Sequence, residues 1–227
     1  MNGQSAFSLG NRRNLFGLDS FTLKCIALLT MLIDHVGAIL YPDIMILRII
    51  GRISFPIYAF LVAEGFFYTK NVKKYMQRLL VFAIVSEIPF DLALTGKILE
   101  FGHQNVFFTL FAGLGLLELY SRQSSMAERI ICILVITTCG DLFRSDYGAW
   151  GILMIFCFYA FREKRWLKLA LVSGINVFAF GWIQSYAVFA CIPIALYNGK
   201  KGAGMKYVFY SIYPLHLLLL YMIKQAM

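Results

Sequence analysis

The chain has few charged residues: 12 Asp and Glu and 21 Lys and Arg, or 15% of 227 positions. A soluble domain carries about 25% charged residues, whereas here hydrophobic residues make up 60% and the mean hydropathy is +0.71. The scarcity of charge excludes an ordinary soluble domain and indicates an integral membrane protein. The net charge of +9 would suit nucleic acid. The basic residues fall between apolar stretches, however, and leave no basic stripe, so no nucleic-acid partner is expected.

Cysteine pairs and linkers are lacking as well. The five cysteines stand singly in apolar surroundings without CxxC spacing, which excludes a disulfide framework and a zinc site, and no metal is expected.

Residues 1–22 are mostly polar and lack the apolar core of a secretory signal, so we interpret them as a short cytoplasmic N-terminal arm. No linker divides residues 23–227, which are expected to form a single transmembrane domain.

Long apolar stretches occupy most of the remaining sequence. A spanning helix needs about 20 mostly apolar residues, or fewer when aromatic or basic side chains anchor its ends. Nine stretches qualify, the fifth to the eighth being short: 23–41, 44–68, 77–95, 105–121, 128–143, 147–161, 166–181, 183–198 and 206–224. This pattern predicts an all-α fold, a polytopic transmembrane bundle of about nine helices (8–10), in the inner (cytoplasmic) membrane of the cell.

The positions of Lys and Arg predict how the bundle is oriented. Cytoplasmic loops retain positive charge. With the N-terminus inside, all but five of the 21 basic residues fall on the cytoplasmic side. The exceptions lie on the outer side or inside a helix: Arg48, Arg52, Lys97, Arg144 and Lys224. We therefore expect a cytoplasmic N-terminus and an outer C-terminus.

Ionisable residues inside the apolar stretches are the candidates for function, because each costs about 2.5–3.5 kcal/mol at a helix centre. Asp34 and His35 are adjacent, and Lys24 lies eleven residues before His35 on the same helix face. The second stretch begins at the outer surface, which puts Arg52 at a depth in the membrane close to that of His35. The sequence thus predicts an outer-half cavity shared by Asp34, His35 and Arg52. Glu64 lies nearer the cytoplasmic end, at about the level of Lys24.

This set of residues suits acyl transfer. A neutral imidazole can take a proton from an amine or hydroxyl nucleophile and return it to a leaving thiolate, a role that we assign to His35. Arg52 could stabilise the oxyanion of the attacked carbonyl. Lys24 and the basic inner loops could bind the phosphates of a coenzyme.

Two other functions, and a purely structural role, use the same residue types. A proton-coupled transporter would also carry intramembrane His, Asp, Glu and Arg, although no inverted internal repeat is evident. A non-catalytic assembly factor would leave the polar cluster unexplained. Each buried charge could also serve only as an ion pair that fixes packing.

Further polar residues lie in the fourth and ninth stretches. Asn105 opens the fourth at the outer side. Tyr213 and His216 are three residues apart in the ninth, so they face the same way on a helix. They could supply a polar interior, or they could serve as hydrogen-bonding packing residues.

Motifs along nearly the whole chain after residue 20 resemble those of the TraX family of membrane proteins. They occur in the family's order: IDHVGAILYP, LRIIGRISFPIYAFLVAEGFFYTKNVKKYMQRL, SEIPFDL, NVFFTL, DYGAWGIL, LYNGKKG and FYSIYPLHLLLLY. The family is named after the protein that N-acetylates F pilin. The resemblance implies a multi-pass acetyltransferase that takes an acetyl group from acetyl-CoA. The acceptor would be an amine, such as a pilin-like peptide N-terminus, or a hydroxyl of a peptide or carbohydrate.

The resemblance also puts site residues forward. Lys24-x10-His35 fits the R/K-x10-H pattern of the membrane acyltransferase family 3, whose histidine is considered catalytic. By carry-over, the catalytic residues are His35, Asp34, Arg52 and Glu64. The residues assigned to substrate or cofactor binding are Lys24, Asn105, Asp146, Tyr213 and His216.

Overall fold

The computed structural model describes residues 17–227, apart from the side chain of Lys206, and every regular element in that range is a helix. The elements are α1 (Ser20–Ile39), α2 (Met45–Gly51), α3 (Ser54–Tyr68), α4 (Val72–Thr95), α5 (Val106–Arg122), α6 (Met126–Leu142), α7 (Gly148–Ala160), α8 (Arg165–Phe178), a 3-10 helix (Trp182–Ala190), α9 (Cys191–Ala195) and α10 (Lys206–Ala226). The all-α prediction is confirmed. Most of the predicted arm, residues 1–22, lies outside the described residues.

Each of the nine predicted stretches coincides with a helix or with a pair of helices. Two are interrupted: the second forms α2 and α3, and the eighth forms the 3-10 helix and α9. Capping explains two boundaries that were predicted wrongly. α1 begins at Ser20 because the Asp19 carboxylate accepts a hydrogen bond of 2.8 Å from the N–H of Thr22. A similar cap by Asn71 starts α4 at Val72.

Three stretches of the described chain are long and apolar enough to cross a membrane: Ser20–Ile39, Met45–Tyr68 and Tyr207–Ala226. The other helices within residues 17–227 are shorter or less apolar, but they too expose apolar side chains. On α4, Val81 and Ile84 are 55% and 60% exposed. Such a surface suits lipid tails better than water.

The core lies around α3. All but one of residues 54–64 are buried, and α3 packs against α1, α5, α7 and the 3-10 helix. A helix that is apolar on all sides belongs in the centre of a fold. Pro56 lies in the first turn of α3, where its missing N–H removes no intrahelical hydrogen bond. The break between α2 and α3 comes just before it, at Arg52 and Ile53.

Two glycines allow α1 and α2 to pack closely. A Cβ added at Gly37 of α1 would lie 2.6 Å from the Cβ of Leu47, and one added at Gly51 of α2 would collide with Asp34. Small residues at such positions let helix backbones approach each other. This packing, with α10 on another side of α1, determines where Asp34 and His35 lie.

Candidate active site

A cavity of about 180 Å³, hereafter the His35 cavity, lies where the C-terminal half of α1 meets α2, α3 and α10. It brings together five residues that the sequence put forward: Asp34, His35, Arg52, Asp146 and Tyr213. Its lining also includes Arg48, His103 and Tyr147, which the sequence analysis did not single out. The volume is below the roughly 300–1,000 Å³ of a site for a drug-sized ligand. It therefore has room for the reacting end of a substrate and not for a whole coenzyme.

Asp34 holds two arginines from the adjoining helix. Its Oδ2 lies 2.7 Å from Nη1 of Arg48, and its Oδ1 lies 2.5 Å from Nη2 of Arg52. The same Nη1 of Arg48 donates to the Asp34 backbone carbonyl at 3.1 Å. Two guanidinium groups thus face one carboxylate that is only 8% exposed, and the cluster carries one net positive charge. Asp34 orients these arginines and does not hydrogen-bond its neighbour His35.

Arg52 is further fixed by the backbone of Arg48 and by a glutamine outside the cluster. Its Nε donates to the Arg48 carbonyl at 3.2 Å, and its Nη1 donates to Oε1 of Gln184 at 3.4 Å. Gln184 in turn donates to Oδ1 of Asn176 at 2.9 Å, and both amides are buried. The guanidinium therefore has a defined orientation, as a group that stabilises a developing negative charge requires.

His35 has a histidine as its partner. Its Nδ1 lies 2.7 Å from Nε2 of His216, and Nδ1 of His216 lies 2.8 Å from the carbonyl oxygen of Ile212. A carbonyl oxygen can only accept, so Nδ1 of His216 carries the proton and Nε2 of a neutral His216 accepts. His35 must then donate from Nδ1. The chain of bonds leaves Nε2 of His35 with a free lone pair, and no side chain in the described residues donates to it.

Tyr213 packs beside this pair. Its ring centroid lies 5.9 Å from that of His35 and 5.7 Å from that of His216, in edge-on arrangements. The tyrosine is 3% exposed, so it limits the orientations that both imidazoles can adopt. The three-residue spacing of Tyr213 and His216, which predicted a common face, explains how both reach His35 from α10.

Two loops meet at another part of the cavity lining. Nε2 of His103, in the loop before α5, lies 2.9 Å from Oδ1 of Asp146, in the loop before α7. The N–H of Gln104 donates to the Arg144 carbonyl at 2.9 Å, which ties the two loops together. The hydrogen bond that His103 donates to the Asp146 carboxylate raises the pKa of His103 above its ordinary value. His103 was not predicted, because a single histidine in a polar loop gives no signal of its own.

Comparison with known proteins shows the family to which the chain belongs. Residues 20–224 match the family described as TraX protein. The chain belongs to the TraX family. It is similar to a protein named "Probable fimbrial assembly protein FimC, serogroup H1" of Dichelobacter nodosus, 29% identical over 231 residues that cover 88% of this chain and 93% of that protein. It is also similar to an uncharacterized protein of Rickettsia prowazekii (strain Madrid E), 29% identical over 160 residues that cover 67% of this chain and 60% of that protein. No solved structure matches it.

The family and the apolar helices together make this TraX-family chain a membrane protein. Four of the predicted site residues nevertheless do not line the His35 cavity: His216, which is hydrogen-bonded to His35, and Glu64, Lys24 and Asn105. Glu64 binds Arg162, with Oε1 3.0 Å from Nε. It lies twelve residues beyond Arg52, about 18 Å along a helix, too far for both to act on one atom. The prediction that Glu64 acts together with His35 and Arg52 finds no support in this geometry.

Lys24 and Asn105 are the other two residues outside the cavity. The ammonium of Lys24 lies 5.9 Å from the ring centroid of Phe209. Asn105 caps α5, where its Oδ1 accepts from the N–H of Phe107 at 3.0 Å, and its amide donates to Glu87. Its hydrogen-bonding groups are thus occupied within the fold, and its predicted substrate contact stays a prediction.

Replacement of Gly51 by alanine is expected to loosen the Asp34 cluster. The added methyl would meet Cβ, Cγ and Oδ1 of Asp34, and overpacking of this kind costs about 1–3 kcal/mol of unfolding free energy. Thermal unfolding in detergent measures the loss. Gly174→Ala is the matched control, because no atom lies within 4 Å of a Cβ added there. Equal stability of the two variants would contradict the close contact of Gly51 with Asp34.

The His103–Asp146 pair is expected to stabilise the loops only at low pH. A His pKa that is raised on folding adds stability that is complete below the unfolded pKa of about 6.5 and disappears as the pH rises through the folded value. The side chains are 50% and 31% exposed, so the effect is below about 1 kcal/mol. The Asp146→Asn substitution should therefore lower the melting temperature at about pH 5.5 and not at about pH 9. A loss of the same size at both pH values would exclude a role for the charge of His103.

Proposed function

We propose that this protein is an integral membrane acetyltransferase that transfers the acetyl group of acetyl-CoA to an amine or hydroxyl acceptor. The TraX family is involved in pilin and fimbrial assembly, and one relative is named a probable fimbrial assembly protein. A peptide N-terminus is accordingly the first acceptor to test, and a carbohydrate hydroxyl the second. The observation that carries the proposal is the hydrogen-bonded His35–His216 pair, which leaves Nε2 of His35 without a donor, together with the place of His35 in the lining of a cavity that also includes two oriented arginines.

The proposed arrangement in the inner membrane is a polytopic bundle with a cytoplasmic N-terminus. α1 then runs outward, and His35 lies four residues before its end at Ile39. The His35 cavity would face the outer side. The ends of the helices near Glu64 and Arg165 would face the cytoplasm, where acetyl-CoA is available and where the basic loops lie.

In the proposed reaction, Nε2 of His35 takes a proton from the acceptor as the amine or hydroxyl attacks the thioester carbonyl. The new bond forms between the acceptor nitrogen or oxygen and the acetyl carbon. The carbon–sulfur bond then breaks, and the departing thiolate takes the proton from the imidazolium. The products are the acetylated acceptor and free coenzyme A with its thiol, and no further reactant is consumed.

The neighbours of His35 would help in two ways. His216 can accept the Nδ1 proton of His35, so the positive charge of the imidazolium is spread over two rings. Arg48 and Arg52 supply one positive charge more than Asp34 neutralises. That surplus would stabilise the oxyanion on the acetyl carbonyl, which carries the negative charge in the transition state.

Acetyl transfer can be tested with purified protein in proteoliposomes that receive labelled acetyl-CoA. We expect release of free coenzyme thiol that depends on a peptide with a free N-terminus, and incorporation of label into that peptide. The same peptide with its N-terminus already acetylated is the control, and a carbohydrate acceptor forms a second arm. Absence of acyl transfer to any acceptor would exclude the acetyltransferase.

The second candidate function is a proton-coupled transporter. Two histidines in hydrogen-bonded series could pass a proton along the bundle. Flux of a solute that follows a proton gradient, with no release of coenzyme thiol in the same vesicles, would favour this alternative. If the vesicles show neither solute flux nor acyl transfer, the result would favour a non-catalytic assembly factor.

A further inference from the structure

A second cavity, hereafter the Lys168 cavity, lies among α3, α8 and α9 and has a volume of about 110 Å³. Phe60, Arg165, Lys168 and Tyr197 are among its lining residues. It shares no lining residue with the His35 cavity. Since a water molecule occupies about 30 Å³ of liquid, the space can hold a phosphate group.

The two cations of this cavity have only neutral partners. Nη2 of Arg165 donates to the Ala195 carbonyl at 2.5 Å, and Nζ of Lys168 donates to the Arg162 carbonyl at 3.1 Å. Lys168 also lies 5.4 Å from the ring centroid of Phe60. Among residues 17–227, neither side chain forms an ion pair with a carboxylate.

The nearby carboxylates are already engaged. Both Glu64 and Glu163 pair with Arg162, at 3.0 Å and 3.7 Å. Arg162, Arg165 and Lys168 together carry three positive charges against these two carboxylates, so one positive charge remains in surplus beside the Lys168 cavity. Arg165 is exposed and Lys168 is half-buried, so an anion from outside the chain can reach both side chains and balance this surplus.

The start of α8 adds to the positive potential. Arg165 and Lys168 lie in its first turn, three residues apart and so on one face. No side chain caps this helix, so its first backbone N–H groups and the positive end of the helix dipole are available to an anion. A cavity, two cations without a direct carboxylate partner and an uncapped helix start occur at one place, and helix starts with nearby positive charge are common phosphate sites.

We propose that the Lys168 cavity binds a phosphate group, and that in the working protein this group belongs to the coenzyme of the acetyl donor. The assignment of this phosphate to the coenzyme rests on the proposed function. The site replaces Lys24, whose ammonium lies over Phe209 and lines neither cavity. An anionic phospholipid headgroup has the same chemistry and is the other possible source of the phosphate.

The position of the two cavities suits a coenzyme with a long arm. Phe55 lines the His35 cavity and Phe60 lines the Lys168 cavity. The two residues are five positions apart on α3, which is about 7.5 Å along the helix. The extended pantetheine arm of the coenzyme is longer than this axial offset, so the order of the two cavities along α3 is compatible with phosphates at Lys168 and the thioester towards His35.

The proposal is tested by binding alone, with no acyl transfer. Binding of coenzyme A is measured in nanodiscs of phosphatidylcholine for the wild type, for Arg165→Gln/Lys168→Gln and for the matched control Lys164→Gln. Lys164 is exposed and lines neither cavity. We expect the double variant to bind at least about tenfold more weakly, because it loses two charge-assisted contacts, and the control to bind like the wild type. Lys168→Arg should retain binding, and single Lys168→Gln serves if the double variant does not fold.

Two further arms separate the sources of the phosphate. Pantetheine, which lacks phosphate, should bind equally weakly to every variant, and retention of phosphatidylglycerol is measured by native mass spectrometry. Loss of coenzyme binding in the double variant supports the coenzyme. Loss of phosphatidylglycerol alone supports a phosphate site for lipid and overturns the coenzyme assignment. If neither binding changes relative to Lys164→Gln, there is no phosphate site. Since coenzyme A without its acetyl group is the probe, the site can be verified even if the protein transfers no acetyl group.

Discussion

Replacement of His35 by glutamine is expected to lower the rate of acetyl transfer by about 10²–10⁴-fold, the usual contribution of a general base. The glutamine amide can still donate to Nε2 of His216, so the contact between α1 and α10 is preserved. It cannot take a proton from the acceptor. The measurement is acceptor-dependent release of coenzyme thiol, with thermal unfolding as the check that the variant is folded.

The chain has three histidines, and their glutamine variants can be ranked by the expected loss of acetyl-transfer rate. His216→Gln removes the group that orients His35 and shares its charge, so we expect a smaller loss of rate and a changed pH profile. His103→Gln should have the smallest effect, because His103 bonds Asp146 and not the other two histidines. A folded His35→Gln protein with the wild-type rate would show that His35 is not the base.

Much of the fold could be predicted, because apolar stretches with basic residues between them show where the helices lie, while the caps Asp19 and Asn71 determine where α1 and α4 begin. All nine stretches are helical. Gly51 and Pro56 flank the break between α2 and α3 and favour a bend in this stretch, but its position at Arg52 and Ile53 could not be predicted from local sequence. Positions 52 and 53 hold an arginine and an isoleucine, neither of which is a helix breaker. The Arg52 side chain binds Asp34, eighteen residues earlier, in a contact that exists only in the folded chain.

The site was predictable where a charge stands alone in an apolar stretch. Asp34, His35 and Arg52 were found for this reason, and the structure brings them to one cavity. Arg48 was overlooked as a partner of Asp34, because its place near the start of an apolar stretch is also where arginines reach towards water. The partner of His35 was not predicted either. Only the packing of α10 on α1 shows that it is His216.

Replacement of Asp34 by asparagine is expected to cost about 3–5 kcal/mol of unfolding free energy, the penalty for breaking a buried ion pair on one side. In the native cluster one negative charge faces two positive ones. The substitution leaves Arg48 and Arg52 facing each other without a counter-charge. The same change should remove acetyl transfer, since the arginines lose the carboxylate that orients them.

The matched control is Glu118→Gln, which breaks the pair of Glu118 with Arg122. The Arg122 side chain there is 60% exposed, against 17% for Arg52, so its loss should cost less than about 1 kcal/mol. Both variants are compared by thermal unfolding in the same detergent. Equal destabilisation by the two substitutions would contradict a special role for the Asp34 cluster.

A second substitution distinguishes whether Asp34→Asn destabilises the protein through charge repulsion or through the altered shape of the side chain. Asp34→Asn raises the net charge of the cluster from one to two, and Arg48→Gln in the same protein returns it to one. If repulsion between the arginines causes the instability, the double variant should recover a large part of the lost stability, and the two effects would not add. It should not recover acetyl transfer, because Arg48 is lost and a neutral amide oxygen holds the Arg52 guanidinium less firmly than the Asp34 carboxylate does. Recovery of stability without recovery of activity is the result that separates the structural role of Asp34 from the catalytic role of the arginines it holds.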